Sequence, residues 1–182
     1  MGFKVIKDLK LAPVLMILIG VVLRLLPHPP NFAPITAIAL FSGVYLPKKF
    51  AFVLPISALF ISDLSIGFYG LDMISVYGSF LLIGLIGLWL KPHKNPLLIF
   101  GATLFSSTLF YLLTNLAVWA NPVSTYSKDL TGLLQSYISA IPFYKNTLLG
   151  DIFYTATFIG GFELIKKYAK TRLSSKLYKL VF

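Results

Sequence analysis

The chain has 182 residues, 57% of them hydrophobic and only 12% charged, with a mean hydropathy of +0.84, far above that of an ordinary soluble domain. It contains no cysteine, which excludes disulfides and thiolate metal sites and leaves the redox compartment unread. The formal charge of +10 would suggest nucleic acid on a polar chain; on this one it reports orientation in a membrane.

Six apolar stretches bounded by proline, glycine or charge read as transmembrane helices, at about 11–26, 32–46, 50–67, 73–90, 97–120 and 146–165. The expected fold is therefore all-α, one polytopic bundle over 1–182 with a basic tail from 166. The first span follows Lys4, Lys7 and Lys10 like a signal peptide, but Pro-His-Pro-Pro stands where a small-x-small cleavage site would be needed, so a retained helix is expected. The first two spans are short, and would tilt little, thin the bilayer or end in a cavity.

Between them lies Arg-Leu-Leu-Pro-His-Pro-Pro-Asn-Phe-Ala-Pro-Ile-Thr, residues 24–36. Proline lacks an amide hydrogen and excludes the helical conformation from the residue before it, so Pro27, Pro29 and Pro30 must end the first helix near Leu26. Asn31 is placed to cap the next helix, with Pro34 in its first turn. This stiff turn gathers Arg24, His28 and Asn31. His28 alone reads as a helix-end residue, and His93, in an opposite loop, cannot join it on a metal.

Further along, Asp63 falls about 13 residues into the third span, or ~20 Å at 1.5 Å per residue, which puts it in the outer third of the membrane. Arg24, Asn115 and Asp151 are expected at similar depth. The second span offers small residues, Ala33, Thr36, Ala37 and Gly43, for close helix approach. The fourth begins with Asp72, Ser75 and Ser79. The fifth aligns Thr108, Tyr111, Asn115 and Trp119 on one face, and the sixth aligns Thr147, Asp151, Tyr154 and Thr155. These faces predict a polar, outward-facing pocket with aromatic walls. Its candidate substrate contacts are Arg24, His28, Asn31, Asp63, Asp72, Tyr111, Asn115, Trp119, Phe143, Asn146, Asp151 and Tyr154. The competing reading of Arg24 and Asp63 is a structural ion pair.

Between spans five and six, Leu130, Leu133, Leu134, Tyr137, Ile138 and Ile141 recur at helical spacing. An amphipathic helix on the outer surface is expected there, capped by Ser127 or Asp129, as an interfacial anchor or a lid. The basic tail lies on the inner leaflet or docks a cytoplasmic partner.

All but three of the 16 lysines and arginines precede span one, follow span six or join spans two to three and four to five; the exceptions are Arg24, Lys128 and Lys145. Both termini are thus expected in the cytoplasm of a bacterial cell, with the chain multi-pass in the inner membrane and no nucleic-acid partner. No phosphate-binding loop, His-Glu-x-x-His or Gly-x-Ser-x-Gly occurs, so no catalytic residue, metal or cofactor is assigned.

The strings at 24–35, Ser-Asp-Leu at 62–64, Thr-Asn-Leu-Ala-Val-Trp at 114–119, Ile-Pro-Phe at 141–143 and Asn-Thr-Leu-Leu-Gly-Asp at 146–151 resemble a bacterial membrane family known by a domain-of-unknown-function label. The likeness runs over nearly the whole chain. In architecture the chain also resembles the S components of energy-coupling factor transporters, which capture vitamins and work with a transmembrane coupling subunit and two ATPases. Their Ala-x-x-x-Ala docking face is matched in spacing by Ala33 and Ala37. These resemblances imply a solute-binding membrane subunit or small transporter, energised by a separate partner. The alternatives are a membrane enzyme using Asp63 or Asp151 as acid or base, and a structural assembly factor.

Overall fold

A computed structural model describes residue 15 and residues 17–172, with side chains to 168. Lys4, Lys7, Lys10, the start of the first span and the end of the basic tail lie outside the described residues. Helical residues 17–25 form α1, followed by α2 (Ile35–Tyr45), α3 (Phe50–Ile66), α4 (Asp72–Leu90), α5 (Pro96–Ala120) and α6 (Leu130–Thr155). A π-helical turn, Ala156–Gly160, then leads into α7 (Gly161–Arg172). The described residues contain no strand, in accord with the expected all-α class.

Among the described residues, three helical stretches are long and apolar enough to cross a membrane, where six spans were expected over the whole chain: Asp72–Leu90, Pro96–Ala120 and Leu130–Tyr168. The second predicted span is instead the 11-residue α2, about 16 Å long, half of a ~30 Å hydrocarbon core. A helix that is apolar all round belongs inside, and α2 does: nine of its residues are buried, against α3, α4 and α6. Ile38, Leu40 and Val44 of α2 join Leu54 and Leu59 of α3 and Ile83 and Leu90 of α4 in the core. The small-residue face works as the sequence suggests. A Cβ on Gly43 would stand 2.5 Å from the Gly87 carbonyl carbon, so the α2 and α4 backbones cross in contact.

The proline turn ends α1 where expected, but its continuation differs. Asn31 adopts a left-handed φ of 64°, and the Phe32 amide bonds the Pro29 carbonyl at 3.0 Å, a turn with Pro30 and Asn31 at its centre. Pro34, not Asn31, precedes the first residue of α2, and no side chain caps that helix. Asparagine tolerates the left-handed conformation the turn demands, and this use displaces its capping role.

A second correction concerns the outer amphipathic helix. It is not a separate element: α6 runs without a break from Leu130 through Pro142 to Thr155. Pro142 lacks an amide hydrogen but leaves the helix continuous, with α5 packed along its length. Asp129 makes the predicted cap, accepting from the Gly132 amide at 2.8 Å, while Ser127 supports it by donating to the same oxygen at 2.7 Å.

The two ends of the bundle differ. At one, Lys91 donates to the Leu46 carbonyl, Lys94 lies 4.8 Å over the Tyr45 ring and Tyr45 donates to Glu163 at 2.7 Å, so the α2–α3 turn, the α4–α5 turn and α7 come together. At the other, Asn121 donates to Asp72 at 3.1 Å and Asn146 to the Pro30 carbonyl at 3.0 Å. There Lys128 binds the Trp119 and Asn121 carbonyls.

Candidate functional site

Arg24, at the end of α1, reaches α3. Its Nη1 donates to Asp63 Oδ1 at 2.6 Å, to Ser62 Oγ at 2.5 Å and to the Leu59 carbonyl at 3.2 Å. The Asp63 side chain is 0% exposed, and its other oxygen accepts from Tyr77 at 2.7 Å and Tyr69 at 3.4 Å. A carboxylate satisfied on both oxygens and paired with a cation is a joint between α1, α3 and α4. All three Arg24 bonds leave from Nη1; Nη2 and Nε make none among the described residues.

Beside this joint lies a cavity of about 330 Å³. Arg24, His28 and Asn31 line it from the proline turn, Thr36 from α2, and Thr147 and Asp151 from α6; Tyr69, Phe80 and Phe110 supply ring surface. Both His28 nitrogens face carbonyls, of Pro29 at 2.8 Å and Arg24 at 3.0 Å, so its ring forms wall while its polar atoms are committed. A smaller cavity of about 210 Å³ adjoins it, sharing Asn31, Val76, Phe110 and Thr147 and adding Tyr111, Asn115 and Phe143.

Asp151 sits at the inner limit of the larger cavity. It is 2% exposed; Ser107 of α5 donates to Oδ2 at 2.7 Å, and the Thr36 hydroxyl adds a second interaction. Ser107 lies about 20 Å from the Ala120 end of α5 and about 17 Å from the Pro96 end, so Asp151 is at mid-depth. The expectation of one shared outer level thus fails for this residue. Counted from Asn146, Asp151 would be near the surface; it is in fact 21 residues into a continuous α6, about two turns deeper than Asn115.

The twelve predicted contacts therefore separate. Arg24, His28, Asn31 and Asp151 line the larger cavity, and Tyr111, Asn115 and Phe143 the smaller. The other five lie outside both linings. Asp63 is buried behind Arg24; Asp72 and Asn146 tie the chain together; Trp119 donates to the Ser127 carbonyl at 2.9 Å; and Tyr154 packs edge-on against Phe32 at 5.5 Å. Among the walls, Tyr69, Phe80 and Phe110 were missing from the predicted set. Tyr69 follows the Gly67 turn, where no helical face exists to read, and the two phenylalanines look like any core residue.

Among the described residues, two buried hydroxyls, Ser106 and Thr155, have no hydrogen-bond partner, whereas those of Thr103 and Thr147 bond the carbonyl one turn back and that of Ser107 reaches it as an alternative to Asp151. The described residues contain no group of three His, Cys, Asp or Glu able to hold a metal ion.

Fold and site together define an all-helical protein of membrane type with a cavity in its bundle lined by both polar and apolar side chains. The chain belongs to a family of unknown function, DUF6580, whose model matches residues 6–173. No curated protein and no solved structure matches the chain. Nothing in these comparisons links it to energy-coupling factor S components.

Proposed function

We propose that the chain captures a small solute in the larger cavity, entering from the end formed by the α1–α2 and α3–α4 turns, and serves as a membrane substrate-binding subunit or small transporter. That end faces the outer side of a bacterial cytoplasmic membrane, because the opposite end carries Lys48, Lys49, Lys91 and Lys94. The observation that carries the reading is the lining: polar groups from α1, the proline turn, α2 and α6 converge on one space of about 330 Å³, within the range of small-molecule sites. A pair holding helices together needs only Arg24 and Asp63. The chain has no nucleotide-binding loop, so net transport draws on a separate partner, such as a transmembrane coupling subunit with ATPases. Of the two carboxylates the enzyme reading would use, Asp63 has both oxygens occupied and does not line the cavity, which leaves that reading Asp151 alone.

The native chain lacks cysteine, so one introduced thiol reports cleanly. Val76→Cys, in the walls of both cavities, should react with a membrane-impermeant thiol reagent added to intact cells. Reaction only in inverted vesicles would refute entry from the outer side.

A further inference from the structure

The charges around the cavity do not cancel, and the imbalance points to a class of solute. Arg24 is neutralised by Asp63 through a 2.6 Å ion pair. Asp151 has no cation within salt-bridge distance among the described residues, and the hydrogen bond it accepts there comes from the Ser107 hydroxyl. A carboxylate enclosed at mid-depth in an apolar bundle stays ionised only beside a counter-charge and otherwise takes up a proton.

The hydroxyls around it are turned to accept. Ser107 has its one proton within reach of Asp151 Oδ2 at 2.7 Å and of the Thr103 carbonyl at 3.0 Å, and Thr147, one turn earlier on α6, spends its proton on the Phe143 carbonyl at 3.0 Å. Thr36, Thr147 and Asp151 all line the cavity, and their oxygens offer acceptors to a group with several N–H donors. Phe80 and Phe110, whose ring centres lie 5.2 Å apart, add π faces that attract a cation.

We infer that the captured solute carries a protonated amine, with Asp151 as its counter-ion and the Thr36 and Thr147 hydroxyls as further acceptors. This rests on the solute-capture reading and specifies the solute's charge.

The test uses the full chain in detergent and three probes with the same aromatic body: 2-phenylethylammonium, 2-phenylethanol and phenylacetate. Affinity is read from concentration-dependent shifts in thermal midpoint. The amine should bind at least about tenfold more tightly than the alcohol or the carboxylate, the scale of one charge-assisted hydrogen bond. Asp151→Asn should remove that preference. Thr147→Val keeps the carboxylate and should weaken the amine selectively, so the inference stays testable if the asparagine variant does not fold. Equal binding of the three probes, or preference for phenylacetate abolished by Arg24→Met, overturns the amine assignment and leaves solute capture standing. No stabilisation by any probe overturns the assignment and counts against capture as well.

Discussion

At the scale of single residues, the Arg24–Asp63 pair is the most consequential contact. Removing one partner of a buried pair strands the other, at a cost of about 3–5 kcal/mol, whereas replacing both with apolar side chains of similar size recovers most of it. Asp63→Leu should therefore lower the thermal midpoint in detergent sharply, and Arg24→Met combined with Asp63→Leu should restore it. Additive losses in that double-mutant cycle would contradict the joint. Ser106 makes the reverse case. A buried hydroxyl without a partner costs on the order of 1 kcal/mol, so Ser106→Ala should raise the midpoint slightly, measured in the same assay. The Arg24–Asp63 pair was legible in the sequence because opposite charges are rare in apolar spans and must find each other. The lack of a salt-bridging cation beside Asp151 among the described residues was not, since it depends on which residues α5 and α2 bring near.

At the scale of elements, α6 shows what periodicity can and cannot give. The leucine pattern from Leu130 and the polar face from Thr147 were both readable as helix, but as two elements, an outer helix and a span from 146, with Pro142 between them. Tertiary packing along α5 overrides that local signal, and the continuous helix moves Asp151 to mid-depth. The start of α6 carries a pH dependence. The Gly132 amide, then the Ser127 hydroxyl, stabilise the Asp129 carboxylate and hold it below the ordinary value of 3.8. A depressed carboxylate contributes its capping stability above the ordinary value and loses it as the pH falls through the lower folded one. Hydrogen-exchange protection of the Gly132 amide should drop in that acidic window. Asp129→Asn, which keeps an acceptor without titrating there, should flatten the profile; an unchanged profile would argue against the cap. The α2–α4 crossing was legible only as a small-residue face. That Gly43 meets Gly87 required both helices in place, and Gly43→Val should abolish the contact, at a cost above the ~1–3 kcal/mol typical of overpacking.

At the scale of the whole molecule, composition gave the all-helical, membrane-like class and the distribution of basic residues an expected orientation, while the number of spans was beyond them. α2 is as apolar as any membrane span, and only its length and burial reveal a core helix. Orientation is testable in the cysteine-free background: thiols at Lys48 and Lys94 should be shielded from impermeant reagent in intact cells, while one at Lys128 reacts. The central claim is that the cavity between Arg24 and Asp151 holds a solute. Native mass spectrometry of protein extracted gently from its own membranes tests it most directly, with a folded Val76→Trp variant whose indole fills the shared wall of the two cavities. A small molecule bound to the wild type and missing from the filled variant is the expected result. Wild-type protein free of any such molecule, or equal retention by both, would contradict the claim.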